Sequence, residues 1–191
     1  MAVVTTVSDI GVAILGFGTV GGGVADLLTR HGDMIAERAG VRLVLRAIAD
    51  PDLERPRGVR VDRSLLTRDA MAALRRDDVH LVVETIGGSG AARELTLAAL
   101  EAGKTVITAN KALLAEHGVE LFAAARRTGA GLYFEAAVAG GVPIIRALRE
   151  GLIASRISAI FGILNGTCNY ILTRMEEERA PFELVLREAQ A

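Results

Sequence analysis

Short, uninterrupted apolar runs alternate along this chain with longer stretches in which apolar residues recur at helical spacing. The first run ends at Leu15 and passes straight into Gly16-Phe17-Gly18-Thr19-Val20-Gly21, after which Val24, Leu27 and Leu28 mark a helix. Val41 to Asp50 is apolar and β-branched and predicts a second strand. Pro51 to Arg63 is polar and predicts a surface loop, and Ser64 to Arg76 a helix or two short ones. Further strands are predicted at Val79 to Glu84, Lys104 to Thr108 and Leu132 to Ala136. Helices fall between them: Ala91 to Ala102, stopped by Gly103; Ala112 to Glu116, ended by His117-Gly118; and Val119 to Thr128, stopped by Gly129.

Past residue 136 the pattern changes. Ala137 to Pro143 reads as a hinge, and Ile144, Ile145, Leu148 and Leu152 form one face of a helix. Ile157 to Leu164 is strand-like. Asn165 to Tyr170 is a polar first turn for a helix carrying Ile171, Leu172 and Met175. Glu176 to Arg179 is a solvated charge run, and Phe182 to Ala191 an amphipathic helix. The order predicts an α/β fold, a Rossmann-type, doubly wound, mostly parallel sheet with right-handed crossovers. It spans residues 1–139, and a second unit begins with residues 140–191.

Composition supports strands buried on both faces. Of 191 residues, 51% are hydrophobic but only 4% aromatic, with no Trp, so Ala, Val, Leu and Ile build the core. The 22 basic and 23 acidic residues nearly cancel, and no stretch is both basic and aromatic, which argues against a nucleic-acid partner. A lone Cys168 excludes an internal disulfide and fits a reducing compartment. No apolar run approaches the roughly 20 residues of a membrane span, and Met1 to Asp9 lacks a signal-peptide pattern, so a soluble cytoplasmic protein is expected.

The candidate chemistry starts at the glycine turn. Gly-x-Gly-x-x-Gly between a strand and a helix fits dinucleotide binding: Gly16 for the tight turn, Gly18 for close approach of a pyrophosphate, Gly21 for helix packing. The helix N-terminus offers N–H groups to phosphate. Asp50 ends the second strand, where an acid can bond both ribose hydroxyls and repel a 2′-phosphate. It stands 29 residues after Gly21, beyond the usual separation of about 20. An extra turn between Thr29 and Gly40 would absorb the difference. The competing reading is a solvated acid opening the turn Asp50-Pro51-Asp52, while Arg46, Arg55 and Arg57 leave room for a phosphate. Thr85-Ile86-Gly87-Gly88 lies at a strand's carboxyl end, either at the ligand crevice or as an ordinary turn. Lys111 follows another strand. It can reach the crevice, or it is a surface residue beside a capping Asn110.

Five stretches together resemble the homoserine dehydrogenase family: GFGTVG (Gly16 to Gly21), ETIGG (Glu84 to Gly88), TANKALLAEHG (Thr108 to Gly118), FEAAVAGGVPII (Phe134 to Ile145) and GILNGTCNYILTRM (Gly162 to Met175). The last three are far more specific than a glycine pattern. The resemblance implies reversible NAD- or NADP-dependent reduction of L-aspartate 4-semialdehyde to L-homoserine, on the route to threonine and methionine. It implies that Phe17, Thr19 and Val20 contact the cofactor diphosphate, that Thr85 and Gly87 lie at the nicotinamide, and that Lys111 is catalytic. It implies a monovalent-cation site, sodium by its oxygen ligands, at Glu135, Val138, Gly140 and Val142. It also implies homodimers through a substrate domain that begins at residue 140.

Two features depart from the family. Many relatives carry Arg just after the second strand; here Pro51 follows Asp50, which tilts the expectation toward NAD. The family's acidic, lysine-bearing stretch, which grips the homoserine and supplies the main proton-transfer Lys, is expected after Ala189-Gln190, beyond Ala191. The chain is therefore expected to be a fragment that binds dinucleotide and turns over poorly. A non-catalytic dinucleotide-binding or regulatory paralogue is the alternative. A reductase of the same architecture acting on an amino or imino acid is disfavoured by GILNGTCNY.

Overall fold

Val12-Ala13-Ile14-Leu15 has no polar side chain, and the fold leaves each of these residues at most 1% exposed. They belong to β1 (Asp9–Leu15) in a computed structural model that describes residues 8–163 and 165–190. Five further strands follow: β2 (Arg42–Ala49), β3 (Leu66–Thr67), β4 (Leu81–Glu84), β5 (Thr105–Thr108) and β6 (Leu132–Tyr133). They form one all-parallel sheet in the order β3-β2-β1-β4-β5-β6. Alternate residues of β1 serve different cores. Ala13 and Leu15 pack with Val82, Leu100, Leu113 and Leu121, while Val12 and Ile14 pack with Ala25, Ile48 and Val83. A side-chain period of two puts them on opposite faces, and helices cover both. The expected doubly wound α/β architecture is the observed one. The strand order reverses between β1 and β4, where such sheets open a ligand crevice at their carboxyl ends.

The helices explain the sequence spacings. Helix α1 runs without a break over Thr19–Ala39 and ends on Gly40 in the left-handed conformation, φ 71°. The surplus between Gly21 and Asp50 is thus one long helix of 21 residues rather than an added turn. Helix α2 (Ala70–Leu74) is capped by Asp69, whose carboxylate accepts from the Ala72 N–H at 2.8 Å. Helix α3 (Gly90–Glu101) and helix α4 (Lys111–Thr128) are bridged by Arg93, which donates to both carboxylate oxygens of Glu120 at 2.7 and 2.6 Å. That guanidinium holds the Glu120 carboxyl below its ordinary value.

Four expectations between residues 64 and 151 are corrected. Residues 111–128 form one helix, not two. Gly118 in a helix interior costs only about 1 kcal/mol, and here it is buried. Residues 64–76 hold a 3-10 turn (Arg63–Leu65) and β3 as well as α2, because Leu66 and Thr67 pair with Ile48 and Ala49. The strand expected through residue 136 stops at Tyr133, and the chain turns as a 3-10 helix over Glu135–Ala137. The helix from Ile144 is a single turn, α5 (Ile144–Arg146), followed by a π-helical turn over Ala147–Gly151.

By compactness the chain divides after Ala147. In the second unit α6 (Gly166–Glu177) is capped by Asn165, whose side chain accepts from the Cys168 N–H at 2.8 Å. It packs against α7 (Phe182–Gln190), with Ile171 and Val185 buried. Arg174 donates to Tyr170 Oη and to Glu188 at 2.8 and 2.9 Å. Residues 157–163 are not a strand. A strand needs a neighbour's backbone groups, and these residues have none among the described residues, with Phe161 93% exposed. Leu164 and Ala191, the ends of two expected elements, lie outside the described residues.

Candidate dinucleotide-binding site

The glycine turn is built from its carboxyl-end neighbours. Gly16 stands at φ 95°, and its N–H donates to the Ala49 carbonyl at 2.8 Å. A Cβ there would lie 2.6 Å from the Thr85 carbonyl oxygen, so only glycine fits. The Thr85 hydroxyl donates to the Leu15 and Gly16 carbonyls at 3.1 and 2.9 Å. Gly21 is buried against the same carbonyl: its Cβ would meet Gly16 O at 2.0 Å. The end of β1, the end of β4 and the first turn of α1 therefore touch through backbone.

The helix that follows has no cap of its own. Gly18 at its N-cap provides no side chain, the first turn has no acidic residue, and Gly22 N–H is the first to bond back, to Gly18 O at 2.8 Å. The N–H groups of Thr19, Val20 and Gly21 thus lack helical acceptors, and Thr19 and Val20 are exposed. With the positive end of the helix dipole this makes an anion site.

Phe17 differs. Its N–H donates to Asp50 Oδ2 at 2.6 Å, its carbonyl accepts from Arg57 Nε, and its ring lies buried beneath the Arg57 guanidinium, 4.8 Å away. Asp50 Oδ1 accepts from the Asp52 N–H at 2.8 Å and lies 3.1 Å from Arg57 Nη2. Sequence reasoning kept Arg57 only as one possible phosphate neighbour. Two cavities flank the turn. One of about 350 Å³ is lined by Gly16, Gly18, Asp50, Arg68, Thr85 and Ile86. The other, of about 340 Å³, is lined by Phe17, Thr19, Gly22, Asp26, Arg57 and Val59.

On the other side of the switch point lies a polar cluster that the sequence did not single out. Glu84, 0% exposed at the end of β4, accepts from Thr108 Oγ1 at 2.5 Å, the Ile86 N–H at 2.8 Å and Asn110 Nδ2 at 3.4 Å. Asn110 also donates to the Gly88 carbonyl at 2.6 Å and caps α4 through the Leu113 N–H at 3.1 Å. The sequence signal was an acid ending an otherwise apolar strand. Lys111 is the first residue of α4, exposed, and makes no ion pair with a described residue. Gly87 stands at φ 81° on the same turn as Thr85.

The four residues expected to hold a cation lie in one tight loop. Ala139 and Gly140 reverse the chain at φ 53° and 61°, a conformation that costs a non-glycine residue roughly 1–2 kcal/mol. Glu135 Oε1 and Oε2 accept from the Ile145 and Arg146 N–H groups at 2.9 and 2.8 Å, which leaves each oxygen a lone pair. The Glu135 carboxylate with backbone carbonyls of the same loop would make a hard, oxygen-only donor set, the chemistry that a hard cation takes, and the Val142 carbonyl already accepts from the Ile144 N–H at 2.8 Å. Among the described residues no three His, Cys, Asp or Glu side chains cluster as metal ligands, and no helix is long and apolar enough to cross a membrane.

The comparisons with known proteins agree on one family. The family model for the homoserine dehydrogenase NAD-binding domain covers residues 16–135, and the model for homoserine dehydrogenase itself covers residues 143–191. The chain is 50% identical over 183 residues to the homoserine dehydrogenase of Corynebacterium glutamicum, covering 95% of this chain and 41% of that protein. It is 43% identical to that of Bacillus subtilis, covering 94% and 41%. A crystal structure of a homoserine dehydrogenase from Thiobacillus denitrificans superposes with a TM-score of 0.79 at 44% identity, over 96% of this chain and 42% of the other. A hyperthermophilic archaeal homoserine dehydrogenase in complex with NADPH superposes with a TM-score of 0.66 at 27% identity, over 95% and 60%. The chain spans about two fifths of the length of the curated relatives it matches.

Proposed function

The chain belongs to the homoserine dehydrogenase family, an oxidoreductase family with a nicotinamide dinucleotide-binding domain, and from that premise we propose that it serves the interconversion of L-aspartate 4-semialdehyde and L-homoserine. Residues 1–139 would bind the dinucleotide, and residues 140–191 begin the part that takes substrate and forms a homodimer. A cytoplasmic setting follows from the biosynthetic role. The observation that carries the reading is the uncapped start of α1 above the Gly16–Gly21 turn, at the switch point of the sheet.

The roles are as follows. Thr19 and Val20 N–H groups receive the diphosphate, with Gly16, Gly18 and Gly21 giving it room, while Thr85 and Gly87 line the nicotinamide half. Phe17 contributes through the turn it shapes, since both of its backbone groups are already engaged. The nicotinamide, when bound, supplies the hydride chemistry. Lys111 Nζ stands near the cofactor ribose and the reacting carbonyl, where an ammonium polarises the carbonyl, and the main proton-transfer Lys belongs to the stretch expected after Gln190. Glu135 and the carbonyls of Val138, Gly140 and Val142 would hold a sodium ion that neutralises the loop and keeps its shape.

The test is a titration of the purified chain with NADH and NADPH, read by nicotinamide fluorescence. Saturable binding of at least one is expected, and absence of both would overturn the dinucleotide reading. In a chain of the relatives' full length, Lys111→Ala is expected to lower kcat by about 10²-fold or more. A raised KM with kcat intact would remove Lys111 from the chemistry.

A further inference from the structure

An acid at the end of the second strand is ordinarily read as a ribose ligand that decides between NAD and NADP. Here the side chain of Asp50 is 13% exposed and that of Arg57 is 10% exposed. Together they occupy every polar group and the ring of Phe17. Asp50 takes its N–H, and Arg57 takes its carbonyl while covering the ring. Arg57 also donates to the Arg55 carbonyl at 2.8 Å and to the Asp52 carbonyl, so it ties the loop after β2 to the glycine turn. Phe17 sits between Gly16 and Gly18, the two residues with least conformational restraint of their own.

We propose that Asp50 and Arg57 are positioning residues: they clasp Phe17, fix the glycine turn, and so preset the Thr19 and Val20 N–H groups, and Asp50 does not select between ribose 2′-substituents. The inference rests on the dinucleotide reading above. Its physical basis is preorganisation. A turn held before binding does not have to be ordered by the ligand, and the gain is common to both dinucleotides. The Asp50 charge is offset by Arg57 at 3.1 Å, which removes its repulsion of a 2′-phosphate.

The two residues carry opposite charges, and this makes the test sharp. Both dinucleotides are anions, so a purely electrostatic role would make Asp50→Ala bind them more tightly and Arg57→Ala more weakly. A clasp makes both variants weaker. NADH and NADPH are titrated at fixed ionic strength into the wild type, Asp50→Ala, Arg57→Ala, Arg57→Lys and the double alanine variant, each checked by circular dichroism to be folded. Each single alanine variant is expected to lose about tenfold in affinity for both ligands, with their ratio held within about twofold. The double variant is expected to lose little more than either single one, as for partners in one interaction. Arg57→Lys, which keeps a cation beside Asp50, should recover part of the loss. A selective loss of NADH with a gain of NADPH in Asp50→Ala would overturn the proposal and restore the ribose role. Folded variants with wild-type affinity would also overturn it, leaving the pair a purely structural part. Failure of the wild type to bind either dinucleotide would instead overturn the proposed function and this inference with it.

Discussion

In Gly21→Ala, dinucleotide affinity is expected to fall by about a hundredfold or more, with an unfolding midpoint lower by several degrees. The cause is backbone against backbone. The new Cβ would sit 2.0 Å from the Gly16 carbonyl oxygen and 2.8 Å from the Thr85 hydroxyl. Neither is the loose end of a flexible side chain, so α1 has to move away from β1 or the turn has to open. Opening it breaks the Thr85 hydrogen bonds to Leu15 and Gly16 and moves the uncapped N–H groups off their line. Overpacking of this kind costs about 1–3 kcal/mol, which in a chain of this size lowers the midpoint by roughly 2–4 °C for each kcal/mol. The larger effect on binding follows because the displaced atoms are the ones that meet the phosphates. Gly18→Ala is the control, since nothing lies within 4 Å of its added Cβ. It should stay folded with an unshifted midpoint, and its affinity isolates what a methyl at the phosphate approach does. Equal affinity in Gly21→Ala and wild type, by the same fluorescence titration, would refute the packing argument.

This contrast also shows what a sequence can disclose. The turn was legible because three glycines at fixed spacing, between a β-branched run and a helical one, have few physical uses. The parallel sheet was legible for the same kind of reason, since its strands are short, apolar on both faces and separated by helices. Element ends were less so. Gly118 looks like a stop, yet a buried glycine inside one long helix costs only about 1 kcal/mol and the helix runs through it. Leu66-Thr67 is too short to announce itself and exists because β2 leaves an open edge to pair with. Ile157 to Ile163 has the composition of a strand, but composition cannot supply the neighbour that a strand requires.

The site shows the same divide. Asp50 and Arg57 could be named from the sequence but not joined, because their meeting depends on how the loop after β2 folds back over Phe17. The sequence leaves Asp50 between a ribose ligand and the acid of the turn Asp50-Pro51-Asp52, and Arg57 as a phosphate neighbour, while the structure pairs the two at 3.1 Å. Lys111 is named by the family resemblance alone. What sets its position, the cluster around Glu84, was hidden because its members come from β4, β5 and the cap of α4, and only the parallel register aligns Glu84 with Thr108.

Glu84→Leu is expected to be the most destabilising single change at the crevice, at about 3–5 kcal/mol. It would leave the Ile86 N–H, the Thr108 hydroxyl and one Asn110 amide hydrogen without their acceptor, the last two on buried residues, and each such buried group costs about 1–3 kcal/mol. Glu84→Gln is milder. It keeps one acceptor for Ile86 but places an amide where the Thr108 hydroxyl donates, and that hydroxyl already accepts from the Asn110 N–H at 2.9 Å. A cost of about 1–2 kcal/mol is expected, read as a lowered unfolding midpoint. The change should also be felt unevenly along the ligand. Glu84 holds the turn at Ile86 directly and, through Asn110, reaches Gly88 and the start of α4 at Lys111. It holds neither Phe17 nor the first turn of α1. In folded Glu84→Gln, affinity for NADH is therefore expected to drop about fivefold to tenfold, while ADP-ribose, which lacks the nicotinamide, loses less than twofold. Calorimetric titration of both ligands checks this. Parallel losses would mean that Glu84 supports the sheet as a whole, and an unchanged NADH affinity would detach the cluster from the nicotinamide end of the crevice.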